Sequence, residues 1–171
     1  PWSEYLKEKI FIPLKMNQTL ALSEDYFIAE NIAKPHTYVN GKMSVIPFQN
    51  IDNLAPCGSI GSSIKDLSHW VIAQLDSGRF EEETVILFKV LQRTRKPESI
   101  QGRVRHPFNQ GHFNLYGLGW EMMDYEGTEI ISHTGGVNGF VTSVTLLPEI
   151  NLGIVVLTNN DRNAFFEMLK W

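Results

Sequence analysis

The chain has 171 residues and a formal net charge of −4, from 15 basic and 19 acidic side chains. Its hydrophobic fraction of 43% and aromatic fraction of 11% are those of a globular protein and exclude a disordered chain. The acidic balance argues against a nucleic-acid partner, and the single cysteine, Cys57, excludes an internal disulfide and a cysteine-built zinc site.

The N-terminal segment predicts a helix and no targeting signal. Apolar residues recur at helical spacing from Trp2 to residue 14, and Pro13 is expected to end or kink that helix. The charges in residues 1–9 do not fit a signal peptide, and no apolar run in the chain approaches the ~18 residues of a membrane span. Because the chain opens within this helix and without a methionine, we expect a fragment of a longer protein.

The next hundred residues predict loops and helices. Residues 15–56 show no dominant period, so we expect loops with short extended pieces there. Ser62 or Ser63 caps a second predicted helix, which has Asp66 in its first turn and ends at Gly78. Residues 81–95 begin acidic and end basic, a pattern that favours a further helix. We expect Cys57 to be a small buried residue.

A period of two and β-branched residues indicate antiparallel strands after Gly111. Helices before strands indicate an α+β fold. We interpret the chain as a single partial domain, with helices and loops over residues 1–110 and antiparallel strands plus a C-terminal helix over 111–171. The predicted strands are 116–125, 128–133, Phe140–Leu147 and Leu152–Thr158; the predicted turns are 126–127 and 148–151; the last predicted helix is 162–171.

The glycine-rich part of this strand region contains the candidate catalytic residues. It contains Y-G-L-G-W over residues 116–120 and H-T-G-G-V-N-G-F over residues 133–140. Three glycines within five residues indicate a backbone that turns with positive φ or approaches another group closely. His133 and Thr134 then place a possible base and a donor beside backbone N–H groups that could bind an oxyanion. The alternative is a glycine-rich hairpin with His133 as an incidental surface residue.

Four ordered segments together resemble the serine β-lactamase and penicillin-binding-protein-like family, of the class C type. The two motifs above, followed by Pro-Glu and L-T-N, are similar to the family's C-terminal half. Upstream, I-P-L-K-M over residues 12–16 resembles the family's "PLGM" segment. Residues 55–67 resemble its "PAGGLYSTAEDL" segment. The resemblance therefore covers nearly the whole chain.

The resemblance implies acyl-serine chemistry without a cofactor. In this family an S-x-x-K serine is acylated, a Y-x-N motif assists proton transfer, and a K-T-G or H-T-G strand lines the site. His133, Thr134 and Gly135 then form the third motif, and Gly136 gives its backbone N–H to the oxyanion hole. A neutral or half-charged imidazole holds a substrate carboxylate less firmly than an ammonium does. The implied substrate is therefore an ester, an amide or a D-amino-acid peptide, with β-lactam hydrolysis in doubt.

By family order the first two motifs precede Pro1, although look-alikes occur inside the chain. Ser62 and Lys65 fit S-x-x-K, and residues 38–40 fit Y-x-N, but their order is reversed. We interpret Ser62 as a helix cap and Lys65 as a solvated side chain. Two alternatives stay open: a self-contained hydrolase that uses Ser62 and Lys65, and a non-catalytic binding domain that keeps the fold without the nucleophile.

The expected partners follow from the same resemblance. They are a small-molecule or peptide substrate and the missing N-terminal half of the same protein. Because the absence of that half would leave apolar surface uncovered, we also expect the chain to associate with a second copy of itself. A bacterial cell-envelope or secreted setting is implied by the resemblance alone.

Overall fold

The computed structural model describes residues 1–102 and 111–162. Within them, contacts group the chain into two compact units that interleave along the sequence. The single-domain interpretation stays a prediction. The described residues of the first unit are Pro1–Ser68, Thr134–Ser143 and 155–162; those of the second are 69–102, 111–133 and Val144–Ile154.

The first unit opens with the predicted helix. Helix α1, Trp2–Leu6, continues as one wider π-helical turn over Lys7–Phe11, and Pro13 lies in the turn that follows. The backbone N–H of Met16 donates to the carbonyl of Phe11 at 2.8 Å, which closes this end of the helix. Buried apolar residues of this unit are Phe11, Leu14, Met16, Ala21, Ala55 and Val141.

Most of the segment over residues 15–56 is irregular, as predicted, and its one hairpin is short. Strands β1, His36–Val39, and β2, Lys42–Val45, pair antiparallel. Asn40 and Gly41 connect them with φ of +50° and +78°, the positive values that a tight two-residue hairpin turn requires. A four-residue helix, α2, spans Ala55–Gly58. Cys57 within it is exposed, so the prediction of a buried residue is wrong: on this short surface helix its thiol lies toward solvent, near the carbonyl of Leu54.

The second predicted helix is confirmed. Helix α3 spans Ile64–Leu75, and the hydroxyl of Ser63 accepts a hydrogen bond from the backbone N–H of Asp66 at 3.2 Å. Of the two candidate caps, Ser63 is therefore the one that caps the helix. Gly78, with φ of +89°, donates to the carbonyl of Ala73 and ends the helical turn. With 12 residues, α3 is the longest helix in the described ranges, and none there is long and apolar enough to cross a membrane.

The prediction of one helix over residues 81–95 is wrong in its first half. Two short strands, β3 at Arg79–Phe80 and β4 at Glu83–Thr84, form a hairpin there, and helix α4 covers Phe88–Thr94 alone. Glu81 and Glu82 occupy the turn with φ of +47° and +71°. Burial of Phe80, which is 7% exposed, favours the hairpin over the helix that the charge pattern suggests.

A six-stranded sheet follows, and it confirms the α+β class. Its spatial order is the chain order, so it is a meander in which each strand pairs with its sequence neighbours. The pairings β5–β6, β6–β7 and β7–β8 are antiparallel. The strands are β5 Ser99–Gly102, β6 Asn114–Tyr116, β7 Glu121–Tyr125, β8 Thr128–Val137, β9 Phe140–Leu147 and β10 Leu152–Thr158.

The last two strands have their predicted bounds, and the first two do not. The predicted strand 116–125 is two strands separated by a turn, in which the N–H of Gly117 donates to the carbonyl of Trp120 at 2.8 Å. A Cβ on Gly117 would collide with the backbone carbonyl of Thr94, so a close approach fixes the turn there. Strand β8 runs four residues beyond the predicted end, and β5 was not predicted. The predicted helix 162–171 lies, beyond Arg162, outside the described residues.

Candidate active site

The H-T-G-G segment lies within strand β8 rather than at its end. The strand continues through His133, Thr134, Gly135 and Gly136 to Val137 before it turns into β9. His133 and both glycines are exposed and Thr134 is half-buried. Immediately before them, Ile131 and Ser132 are 1% and 0% exposed. The strand thus changes from a buried element to an uncovered one at His133.

His133 contacts one side chain of the Y-G-L-G-W segment. Its Nε2 lies 3.0 Å from the hydroxyl of Tyr116, and the two rings meet edge to face at a centroid distance of 5.9 Å. The structure therefore brings together the first residues of the Y-G-L-G-W and H-T-G-G segments. Sequence reasoning did not identify Tyr116 as a site residue, although the motif that contains it was singled out.

Strand register places the backbones of these two residues near one another in the sheet. Tyr116 on β6 pairs with Glu121 on β7, and Glu121 pairs in turn with Ser132 on β8. Tyr116, Glu121 and Ser132 thus form one row across three strands, and His133 is the residue directly after Ser132. The row is available because the turn at residues 117–120 sends the chain straight back.

The three glycines of the segment serve different purposes. Gly139 has φ of +81° in the β8–β9 turn, and a Cβ there would collide with Pro35 and lie 2.7 Å from the backbone nitrogen of His36. A Cβ on Gly135 would lie 3.0 Å from the hydroxyl of Thr142. Around Gly136, no described atom lies within 4 Å of the Cβ position. Packing therefore explains Gly139, whereas Gly136 contributes uncovered backbone.

Ser62 belongs to a structural network. Its hydroxyl lies 2.8 Å from that of Thr19, which donates to the carboxylate of Asp66, also at 2.8 Å. Lys65 is exposed, and within the described ranges no hydrogen bond joins it to Ser62. The spacing that fits S-x-x-K thus does not form a serine–lysine pair in this structure.

The other look-alike belongs to the β1–β2 hairpin. Tyr38 pairs with Met43 across that hairpin, and the guanidinium of Arg162 lies 3.8 Å from its ring centroid. Asn40 occupies the turn. Among the described side chains, no group of three or more His, Cys, Asp or Glu could hold a metal ion.

Comparison with known proteins gives one family and several hydrolases. The family model described as Beta-lactamase matches residues 1–171. The unguisins hydrolase ungD' of Aspergillus campestris is 26% identical over 161 residues, which are 91% of this chain and 28% of that protein. The unguisins hydrolase ungD of Aspergillus violaceofuscus is 24% identical over 172 residues, 92% of this chain and 30% of that protein. The chain thus spans less than a third of these relatives, and because both are fungal they do not support a bacterial setting.

Solved structures share the fold. The octameric penicillin-binding protein homologue from Pyrococcus abyssi has a TM-score of 0.73 at 20% identity, covering 99% of this chain and 38% of its own. A D-amino acid amidase from Ochrobactrum anthropi gives 0.69 at 22% identity, with coverage of 93% and 44%. A D-stereospecific amidohydrolase from Streptomyces sp. gives 0.68 at 16%, with 94% and 44%.

Proposed function

The chain belongs to the beta-lactamase family, as its motifs indicated, and we propose that it forms the C-terminal, substrate-facing part of a serine hydrolase. The observation that carries this proposal is the uncovered H-T-G-G stretch of β8, beginning at His133 directly after two fully buried residues. A strand that leaves a histidine and two glycines exposed, with a half-buried threonine between them, offers side-chain and backbone donors to a ligand. The similar curated proteins are hydrolases, which supports the reaction class.

In the proposed reaction the nucleophile comes from the part of the protein outside residues 1–171. A serine hydroxyl there attacks the substrate carbonyl carbon, a lysine one helical turn later takes its proton, and a C–O bond forms. The carbonyl oxygen becomes an oxyanion, which the backbone N–H of Gly136 stabilises. The C–N or C–O bond to the leaving group then breaks as that group takes the proton. Water hydrolyses the acyl-serine, returning a hydrogen to the serine and leaving a carboxylic acid.

We propose a simple, non-peptide amide as the substrate class, ahead of an ester, a D-amino-acid peptide or a β-lactam. Two proteins with the same fold are an amidase and an amidohydrolase, and both names specify D stereochemistry. His133 stands where a lysine would offer a permanent positive charge, so the site does not favour a substrate that is anchored by its carboxylate. In this account His133 and Thr134 hold the neutral amide beside the nucleophile.

The test is active-site labelling of the longer protein that contains this chain. A fluorophosphonate probe forms a bond from a serine oxygen to phosphorus and releases fluoride, so peptide mass mapping locates the nucleophile. We expect one labelled serine outside residues 1–171 and unchanged labelling in Ser62→Ala. A label that is lost in Ser62→Ala would favour a self-contained hydrolase. A folded protein that takes no label would favour the non-catalytic binding domain.

A further inference from the structure

We propose that Tyr116 is a positioning residue for His133: its hydroxyl donates to Nε2, and this contact fixes which ring nitrogen carries the proton and which way the ring faces. This inference rests on the proposed function for its catalytic consequence, although the contact itself is independent of any reaction. The Nε2-to-hydroxyl distance of 3.0 Å and the edge-to-face ring geometry carry it.

Tyr116 is suited to this task because its backbone is held from both sides. Its carbonyl accepts from the N–H of Glu98 at 2.8 Å, and it pairs with Ser99 on β5 and Glu121 on β7. Two residues further on, the backbone is held again, since the N–H of Leu118 donates to the carbonyl of Thr94 at 2.8 Å. Because the backbone of Tyr116 is held in this way, its hydroxyl has a defined position from which it can orient the imidazole of His133.

The imidazole of His133 needs a contact that fixes its orientation, because it is exposed. An exposed imidazole rotates about two side-chain torsions, and its neutral form exists as two tautomers. The sp² nitrogen of imidazole is a better acceptor than a phenol oxygen, so the pair is formed with Tyr116 as donor. The proton of the neutral ring then lies on Nδ1, which has no hydrogen-bond partner among the described residues.

The catalytic consequence concerns the substrate carbonyl or amide. A ring held by its Nε2 presents Nδ1–H as a directed, uncharged donor, and the geometry is ready before the substrate arrives. Without Tyr116 the ring samples other rotamers and both tautomers, so part of the protein population presents an acceptor where the reaction needs a donor. The cost is that of one neutral hydrogen bond, or about a three- to tenfold loss of kcat/KM.

The experiment compares Tyr116→Phe with wild type in the longer protein that contains this chain. Long-range proton–nitrogen NMR of histidine-labelled protein reports the tautomer of His133, assigned by its loss in His133→Ala. We expect the Nδ1–H form in wild type and a shift towards the Nε2–H form in Tyr116→Phe. Tyr125→Phe on β7 is the matched control, because the hydroxyl of Tyr125 makes no hydrogen bond within the described residues.

A double-mutant cycle with turnover of a D-amino acid amide completes the test. If Tyr116 acts through His133, Tyr116→Phe costs about three- to tenfold in kcat/KM alone and nothing further in a His133→Ala background. An Nε2–H tautomer in wild type, an unchanged tautomer in Tyr116→Phe, or an equal loss in both backgrounds would overturn the inference. Absence of turnover in every variant would contradict the proposed function, while the NMR result would still decide the role of Tyr116.

Discussion

The irregular segment over residues 15–61 and the strand region over residues 114–147 hold their shapes by different means. In the irregular segment, two carboxylates bind backbone and hydroxyl donors: Asp66 holds residues 18–19, and Asp52 holds Ser23. In the strand region, strand pairing and glycine turns set the backbone, and His133 is left exposed. We therefore expect polar substitutions to reduce stability in the first region and activity in the second.

The largest stability effect is expected at Asp66, which is 2% exposed. Its Oδ2 accepts from the N–H of Gln18 at 2.7 Å and from the hydroxyl of Thr19 at 2.8 Å. Asp66→Ala removes both charge-assisted bonds that join helix α3 to residues 18–19, so the free energy of unfolding should fall by about 3 kcal/mol. Urea unfolding measures this loss. The control is Asp124→Ala on β7, where the carboxylate is exposed and a change within about 0.5 kcal/mol is expected.

The next effect distinguishes two glycines of one segment. Gly139→Ala forces a side chain into a φ of +81° and against Pro35, so it should cost about 2 kcal/mol. Gly136→Ala meets open space and keeps its N–H, so stability and turnover should both stay near wild type. Thermal unfolding of the two variants compares them directly. If both variants were equally destabilised, Gly136 would be required for packing, as Gly139 is, and not for an open backbone.

A smaller effect, present near neutrality and lost in acid, is expected at Asp52. The hydrogen bond from the Ser23 hydroxyl, with further bonds from the N–H groups of Ser23 and Glu24, lowers the pKa of Asp52 below 3.8. A carboxyl whose folded pKa is depressed stabilises the protein above its unfolded pKa and loses that stabilisation as the pH falls through the folded value. The gap in unfolding free energy between wild type and Asp52→Asn should therefore be full near neutrality and narrow below about pH 4. A gap that is independent of pH would contradict this role.

The smallest effect is expected in alkali, at Tyr26. Burial, reinforced by the carboxylates of Asp52 and Asp25, raises its pKa to about 12, and its hydroxyl donates to the carbonyl of Ser59. Because the neutral phenol is favoured in the folded state, its contribution is complete below about pH 10 and is lost as the pH rises from there to about 12. Ultraviolet titration should show one late-ionising tyrosine that disappears in Tyr26→Phe. Loss of an early-ionising tyrosine instead would contradict the assignment.

The same contrast explains what could be predicted from the sequence. Strands β9 and β10 were predicted at their observed bounds because alternation and the Pro148 turn are local signals. The break at Gly117 was missed because it depends on the carbonyl of Thr94, more than twenty residues earlier. Asp66 was placed correctly in its helix, but its bonds to residues 18–19 reach across 47 or 48 positions.

For the candidate site, the sequence predicts residues but not the contact between His133 and Tyr116. His133, Thr134, Gly135 and Gly136 were identified by their resemblance to a motif, and their catalytic roles stay proposals. The contact of His133 with Tyr116 depends on a register through three strands, which in turn depends on the missed break after Tyr116.

The most direct test of the central claim separates turnover from stability at His133 in the longer protein. Because this side chain is exposed, His133→Ala should lower the acylation rate on a D-amino acid amide about a hundredfold while Tm changes by about 2 °C or less. The matched control is His112→Ala, an exposed histidine outside the site, which should leave both quantities unchanged. An unchanged rate in His133→Ala, or an equal loss in His112→Ala, would contradict the assignment of β8 as the substrate-facing strand.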